Sequence, residues 1–409
     1  MAQVSDDGTN QFGAQNLVVT ITGTNDAPVV TADDVTGDIE EGVTLMDSGS
    51  IDYDDLDANG TITASLNTGD EAPAAIWSGG TLTDDQETAL FAAFSFEQSA
   101  VDNNGTVTWE YNVAETVLDF LADDETATLT FTLDFTDDQN AVTQQVVTIN
   151  IEGTNDAPVI DAVGPHAILD TEEADMIEDI TGTLTETDLD VSDMHTFSIG
   201  DGTDLIGAEE QTSDFGTLTV NADGTYSFAV NNEAVDALDV DETPTVTFDV
   251  QVSDGITTDT TTLEFNITGV NDNPIANDDT IFVDEDAIVT FNPVFGGSTE
   301  TADTDAEGHM LTIIRGDDIG SSAGAAVVGG APAVFTTDFG GVVTLEADGS
   351  ASYNLTGNTG AFLSLGAGDV GFDEFTYTIS DGNGGEATAT VTVETVSYTH
   401  LTLPTTPYV

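Results

Sequence analysis

Apolar and polar residues alternate along this chain in short runs. Leu17-Val-Val-Thr-Ile-Thr22, Gly216-Thr-Leu-Thr-Val220 and Ala387-Thr-Ala-Thr-Val-Thr-Val393 place an apolar or β-branched side chain at nearly every second position. A period of two marks a strand with one buried face. Asp223-Gly224 and Asp348-Gly349 interrupt such runs, and Asn104-Gly105 precedes Thr106-Val-Thr-Trp-Glu-Tyr111. Pairs of this kind tolerate positive φ and predict tight hairpin turns. Helical signals are confined to Asp84 to Phe96 and Glu233 to Leu238. Short strands joined by polar turns predict a β-sandwich.

The pattern repeats. Thr20-Ile-Thr-Gly-Thr-Asn25-Asp26-Ala-Pro28 returns as Ile149-Asn-Ile-Glu-Gly-Thr-Asn155-Asp156-Ala-Pro158, and again as Phe265-Asn-Ile-Thr-Gly-Val-Asn271-Asp272-Asn273-Pro274. The period, about 115 to 130 residues, is that of a domain. Each copy follows a turn of the Ser-Asp type: Val4-Ser5-Asp6, Phe135-Thr136-Asp137 and Val252-Ser253-Asp254, with a fourth at Ile379-Ser380-Asp381. The expected domains are a truncated repeat at 1–26, three whole repeats at 27–156, 157–272 and 273–395, and a tail at 396–409. Each Asn-Asp-x-Pro phrase is a linker whose proline keeps the exit extended. The tail drops the acidic composition and resembles the translation of a transposon-type sequencing adapter. The start lacks the basic and apolar regions of a signal peptide.

Charge changes the picture. There are 78 acidic residues and one basic residue, Arg315, for a formal net charge of -77. Carboxylates this dense oppose compaction unless cations neutralise them. Nucleic acid is excluded as a partner, because no basic surface exists to meet phosphate. No apolar run is long enough to span a bilayer, so direct membrane insertion is not expected. Cysteine is absent, which fits an exported protein reinforced by metal rather than by disulfides.

A further acidic motif follows each linker: Asp55-Leu-Asp57, Asp188-Leu-Asp190 and Asp303-Thr-Asp305. Its distance from the linker aspartate is nearly constant: 29 residues (26 to 55), 32 (156 to 188) and 31 (272 to 303). Alternate carboxylates on a turn can converge on a hard cation such as Ca2+, which takes six to eight oxygens. An acid also recurs early in each repeat, at Glu41, Glu173 and Glu285.

Residues 27 to 272, with endings such as Ile21-Thr-Gly-Thr-Asn-Asp-Ala-Pro28, resemble VCBS repeats. Residues 273 to 395 resemble bacterial tandem cadherin-like repeats, on Pro274-Ile-Ala-Asn-Asp-Asp279, Val283-Asp-Glu-Asp286 and Phe375-Thr-Tyr-Thr-Ile-Ser-Asp-Gly-Asn-Gly-Gly385. The resemblance implies an all-β fold of tandem Ig/cadherin-like β-sandwich domains in a linear array. It also implies a large RTX-type secreted adhesin, located extracellularly on a bacterial surface, exported by type I secretion and stiffened by calcium. Surface proteins or glycans would be its partners. The acidic order is similar to the cadherin interdomain calcium site. Carried over, the resemblance gives the linker at Asp272 the ligands Glu173, Glu242, Asn271, Asp272, Asn273, Asp303, Asp305 and Asp381. The linker at Asp156 would use Glu41, Glu125, Asn155, Asp156, Asp188, Asp190 and Asp254. The linker at Asp26 would keep Asn25, Asp26, Asp55, Asp57 and Asp137. Ala27 and Ala157 stand where that pattern has a second asparagine, which points to fewer ions per linker.

Rival readings rest on less. Paired carboxylates could serve a glycosidase, but in this composition pairs carry no information. His166, His195 and His309 show no metal-binding spacing. No phosphate loop or cysteine nucleophile is present, so the chain is not expected to be an enzyme. Arg315-Gly316-Asp317 spells an integrin-type tripeptide, followed by the Gly/Ala-rich stretch Gly320 to Pro332. Trp77 and Trp109 are either core residues or stacking platforms for sugars. Acidity alone could also reflect adaptation to high salt.

Overall fold

A computed structural model describes residues 16–32, 34–57, 59–172, 176–200, 209–297, 300–319, 324–357 and 369–396. The fold is all-β, with tandem β-sandwiches. Two compact units divide the chain. The first runs to Pro158 and includes Asp188–Met194; the second takes Val159–Thr187 and everything from His195.

The first unit is built on a hairpin of two long strands, Thr126–Thr136 and Val142–Glu152. Ala127, Leu129, Phe131, Leu133 and Phe135 are fully buried, so the alternating face points inward as its period requires. Thr36–Glu40 joins this sheet parallel to the second strand of the hairpin, with Glu40 opposite Glu152. The facing sheet runs Val29–Ala32, Met46–Asp54, Asn104–Asn112, Phe94–Gln98. Trp109 closes the core between the sheets. Its indole lies over Gly37 and Gly49 and donates to the carbonyl of Asp34 at 2.8 Å. Each such fully buried side chain stabilises the fold by roughly 1.5–3 kcal/mol.

The second unit holds two sandwiches of the same plan. In the first, His166–Leu169 lies parallel to Thr258–Thr268, with Leu169 opposite Thr268. Phe228 stacks on Phe265 across the core at 4.2 Å between ring centroids. In the second, Asp279–Asp284 lies parallel to Glu386–Val396, around Tyr353, Phe375 and Tyr377. An early strand therefore adds in parallel to the last strand of each repeat. In the first two repeats this pairing carries the residue after the early strand to the start of the next linker.

Three expectations change. The helix expected over Asp84 to Phe96 is Asp84–Ala92, capped by Thr83 and Gln86, and Phe94 already begins a strand. The second helix is only Asn232–Val235. Asp223-Gly224 and Asp348-Gly349 do form hairpin turns, with φ of 84° and 85° at the glycines. Asn104-Gly105 instead lies inside the strand Asn104–Asn112, where Gly105 makes room for the Tyr53 ring. Val396, the first residue of the expected tail 396–409, pairs with Val370; residues 397–409 lie outside the described residues.

Candidate metal sites at the linkers

The strand pairing sets up the site. Beyond the pair Glu40 and Glu152, the N–H of Glu41 donates to the Glu152 carbonyl at 3.0 Å. The Glu41 carboxylate then accepts from the N–H of Thr154 at 2.9 Å. The next repeat does the same with Asp170. Its N–H donates to Thr268 at 3.1 Å, and its carboxylate accepts from Val270 at 3.0 Å. Glu41 and Asp170 thus hold one place in two repeats. Glu173, expected in that place, lies outside the described residues.

A second acid reaches the linker from a turn near the end of two repeats. Glu41, Asp119 and Asp156 bring ligand oxygens within 4.8 Å of one another, and so do Asp170, Asp236 and Asp272. Asp119 and Asp236 were not among the residues singled out from sequence. They sit six residues before Glu125 and Glu242 in matching phrases, Asp119-Phe-Leu and Asp236-Ala-Leu. A glycine admits the turn: a Cβ on Gly153 would lie 2.6 Å from Leu121 Cβ, and one on Gly269 2.5 Å from Leu238 Cβ.

Glu125 and Glu242 close this turn instead of joining the trio. Glu125 Oε2 accepts from the N–H of Ala122 at 3.3 Å, and Glu242 Oε2 from Asp239 at 3.1 Å. Glu125 also accepts from the Trp77 indole at 2.8 Å and from Ser192 Oγ at 2.7 Å.

The arm after each linker meets it through one carboxylate. Asp26 N–H donates to Asp57 at 2.9 Å, and Asp156 N–H to Asp190 at 2.7 Å. Asp272 N–H donates to Glu307 at 2.6 Å. Asp55 and Asp188 accept from the N–H of Asp57 and Asp190, at 2.8 and 3.0 Å. In the third repeat the pair at the linker is therefore Asp305 and Glu307, not Asp303 and Asp305. Asp303 is buried against the Tyr377 hydroxyl, at 3.0 and 3.1 Å, and accepts from Asn277 N–H at 2.7 Å.

The linker asparagines complete the arrangement. Asn25 Nδ2 donates to Asp137 at 2.7 Å, and Asn271 Nδ2 to Asp381 at 2.8 Å. Asn155 and Asn271 also bond the carbonyls of Asp156 and Asp272. Asn273 donates to the Glu172 carbonyl from its N–H at 3.0 Å. Asp254 accepts from Ile256 and Thr257 within its own turn.

Electrostatics make these sites costly without a counter-charge. Burial, against the opposing Thr154 N–H and with help from Asp156, Asp119 and Glu115, pushes Glu41 up to about 7. Burial, with Asp156, Asp188 and Asp193 adding repulsion, pushes Asp190 to about 7 as well. Burial and then the charges of Asp119, Asp188 and Glu115 raise Asp156. Lys and Arg contribute one residue in the whole chain, and Arg315 bonds Asp317 at 2.8 Å. Asp190 Oδ1, Asp305 Oδ2, Glu307 Oε2 and Asn271 Oδ1 are shut off from solvent and accept no hydrogen bond among the described residues. Around the two trios oxygens alone form the donor set, that of a hard cation such as calcium, whereas the His309 imidazole stands beside Asp305 and Glu307. The residues present fit that ion.

The rival features fall elsewhere. Arg315-Gly316-Asp317 is part of the strand Thr312–Asp318, and a Cβ on Gly316 would strike Leu345 and Phe335. Trp109 is fully buried and Trp77 spends its N–H on Glu125. His309, which showed no metal-binding spacing, shares a cluster with Asp305 and Glu307. Among the described residues no helix is long and apolar enough to cross a membrane.

No curated protein matches this chain. Solved structures similar to it include mouse cadherin-23 EC22-24, 15% identical, with 91% of this chain and 99% of that one covered and a TM-score of 0.35. Human CDH23 EC21-23 is 15% identical, with 90% and 100% covered and a TM-score of 0.38. Protocadherin gammaB7 EC3-6 is 14% identical, with 90% and 77% covered and a TM-score of 0.36. Residues 271–397 match the family of bacterial cadherin-like domains.

Proposed function

We propose that this chain is a run of calcium-binding structural repeats from an adhesive protein of the bacterial surface. Its ions would sit at the linkers and hold consecutive repeats in one orientation. The observation that carries this reading is the recurrence of the acidic trio. Glu41–Asp119–Asp156 and Asp170–Asp236–Asp272 are built by the same strand pairing, the same glycine and the same backbone bonds. Acids that merely coat a surface have no reason to repeat a convergent, half-buried geometry.

The mechanism is clearest at Asp272. Asp170 and Asp236 come from one sandwich, Asn271 and Asp272 from the linker, and Glu307 and Asp381 from the next sandwich. An ion that draws on all of them is bound fully only when both sandwiches keep their places. Binding then stiffens the chain as well as stabilising it. Extracellular calcium modules bind at about 10⁻⁴ to 10⁻³ M. At ten times the dissociation constant, each site adds about 1.4 kcal/mol.

The net charge of -77 favours a second reading, a salt-adapted spacer without specific sites. Thermal melts at fixed ionic strength separate the two. Specific sites predict a saturable rise of the midpoint with millimolar calcium that magnesium and sodium do not reproduce. Recovery of the same rise with monovalent salt alone would favour the spacer. Adhesion itself is tested by binding of the chain to cell-surface glycans and proteins with and without calcium.

A further inference from the structure

His309 lies between two carboxylates supplied by different sandwiches of the second unit. Its Nδ1 is 3.3 Å from Asp305 Oδ1, and its Nε2 is 3.2 Å from Asp239 Oδ2. Asn383 Nδ2 is 2.9 Å from the same Nε2. Neutral imidazole carries one N–H and one lone pair. Whichever nitrogen holds the proton, the other turns its lone pair toward a carboxylate oxygen. That contact repels until a cation, either a second ring proton or a metal ion, comes between the two.

The surroundings point to a metal as that cation. Ligand atoms of Asp305, Glu307 and His309 lie within 4.8 Å of one another. The Asp305 side chain is 2% exposed. Its Oδ2 and the Glu307 Oε2 are shut off from solvent, and no donor among the described residues reaches them. Gly308, at φ 77°, turns the chain between Glu307 and His309, and the N–H of His309 donates to Asp305 Oδ1 at 2.8 Å. The turn thus holds two carboxylates and one imidazole on one spot.

Imidazole nitrogen is a poor partner for calcium, which takes oxygen, and a good one for zinc, cobalt, nickel and copper. A ligating histidine also tends to donate its other N–H to a carboxylate, which fixes the tautomer and aims the ring. Asp239 stands where that outer carboxylate belongs.

We propose that Asp305, Glu307 and Nδ1 of His309 form a site for a zinc-class divalent metal, with Asp239 orienting the imidazole. The site shares Glu307, through its other carboxylate oxygen, with the linker ion proposed above, but none of the all-oxygen trio Asp170–Asp236–Asp272, and its imidazole does not rest on the calcium reading. Because Asp239 belongs to the preceding sandwich, filling the site would clamp two repeats through a second, chemically distinct ion.

The test uses the full chain, stripped with chelator and then held in excess calcium so that all-oxygen sites are filled. Cobalt(II) is titrated while visible absorption and paramagnetically shifted imidazole N–H signals are recorded. One saturable equivalent with one shifted N–H signal, displaced by zinc, is expected. His309→Gln should abolish that signal, His195→Gln should leave it, and Asp239→Asn should weaken binding by roughly 10- to 100-fold. An amide-proton spectrum that changes only around residues 305–309 shows that His309→Gln folds, whether or not calcium binds. Asp170→Asn should lose calcium response yet keep the cobalt signal, which separates this site from the calcium reading. Absence of saturable cobalt binding under excess calcium, or a signal indifferent to His309→Gln, overturns the proposal.

Discussion

Asn271 Nδ2 donates to Asp381 Oδ2 at 2.8 Å, tying the linker to a turn 110 residues further along the chain. Asn25 holds Asp137 in the same way at 2.7 Å. Burial would raise the Asp381 carboxyl, but the Asn271 amide and the N–H groups of Asn383, Gly384 and Gly385 outweigh it and hold the group below the usual carboxylate range. Asn271→Ala should therefore raise the Asp381 pKa, as followed by carboxyl-carbon NMR. Loss of a bond to a charged group should cost about 1.5–3 kcal/mol. An unmoved titration would show that the backbone turn alone sets this aspartate.

Without divalent cations, stability should fall as pH rises. Glu41 goes from an ordinary 4.5 to about 7 on folding, Asp190 from 3.8 to about 7, and Asp279, raised first by burial, from 3.8 to about 6. A raised folded-state pKa means the native state binds protons more tightly than the unfolded one. The stabilisation is complete below the unfolded values and is lost between about pH 4 and pH 7. Melts in chelator across that window should show a falling midpoint. Calcium should flatten the fall by replacing the protons.

Gly269 is the passage through which the Asp236 turn reaches the linker. A methyl group there would lie 2.5 Å from Leu238 Cβ and 2.7 Å from the Asp239 carbonyl. Gly269→Ala should destabilise its repeat by about 1–3 kcal/mol through overpacking. It should also weaken calcium binding, because Asp236 moves away from Asp272. Calorimetric titration of this variant checks both effects, and calcium affinity at the wild-type level would show that the turn does not position a ligand.

Inside the third repeat, Asp373 points into the core and accepts from the hydroxyls of Tyr353 and Thr337. Asp373 is 2% exposed. Tyr353→Phe removes a donor from a buried acid and should cost about 1–3 kcal/mol. Faster amide exchange across Val370–Ser380 would register the loss.

The strands were legible because their alternation is driven by burial of one face, and the linkers because Asn25, Asn155 and Asn271 recur in one phrase. Asp119 and Asp236 were not legible as linker acids. The turn that carries them is short, and the Asp-Glu-Thr phrases beside it drew attention to Glu125 and Glu242, which serve as local turn closures. The early acid of the second repeat depends on strand register: Leu169 opposite Thr268 delivers Asp170, and no spacing rule distinguishes it from Glu173. In the third repeat two overlapping acid pairs share Asp305. The Tyr377 hydroxyl engages Asp303, and the Asp272 N–H bonds Glu307 instead, a choice that the overlapping spacing does not encode.

The most direct test of the account compares the calcium-dependent rise in melting midpoint for two double variants. One is Asp119→Asn with Asp236→Asn, and the other is Glu125→Gln with Glu242→Gln. The first should lose most of the rise and, in chelator, melt no lower than the parent chain, since repulsion among the half-buried carboxylates is relieved. The second should keep the rise. A full calcium response in the first, or its loss only in the second, would contradict the assignment of the trios as the ion sites.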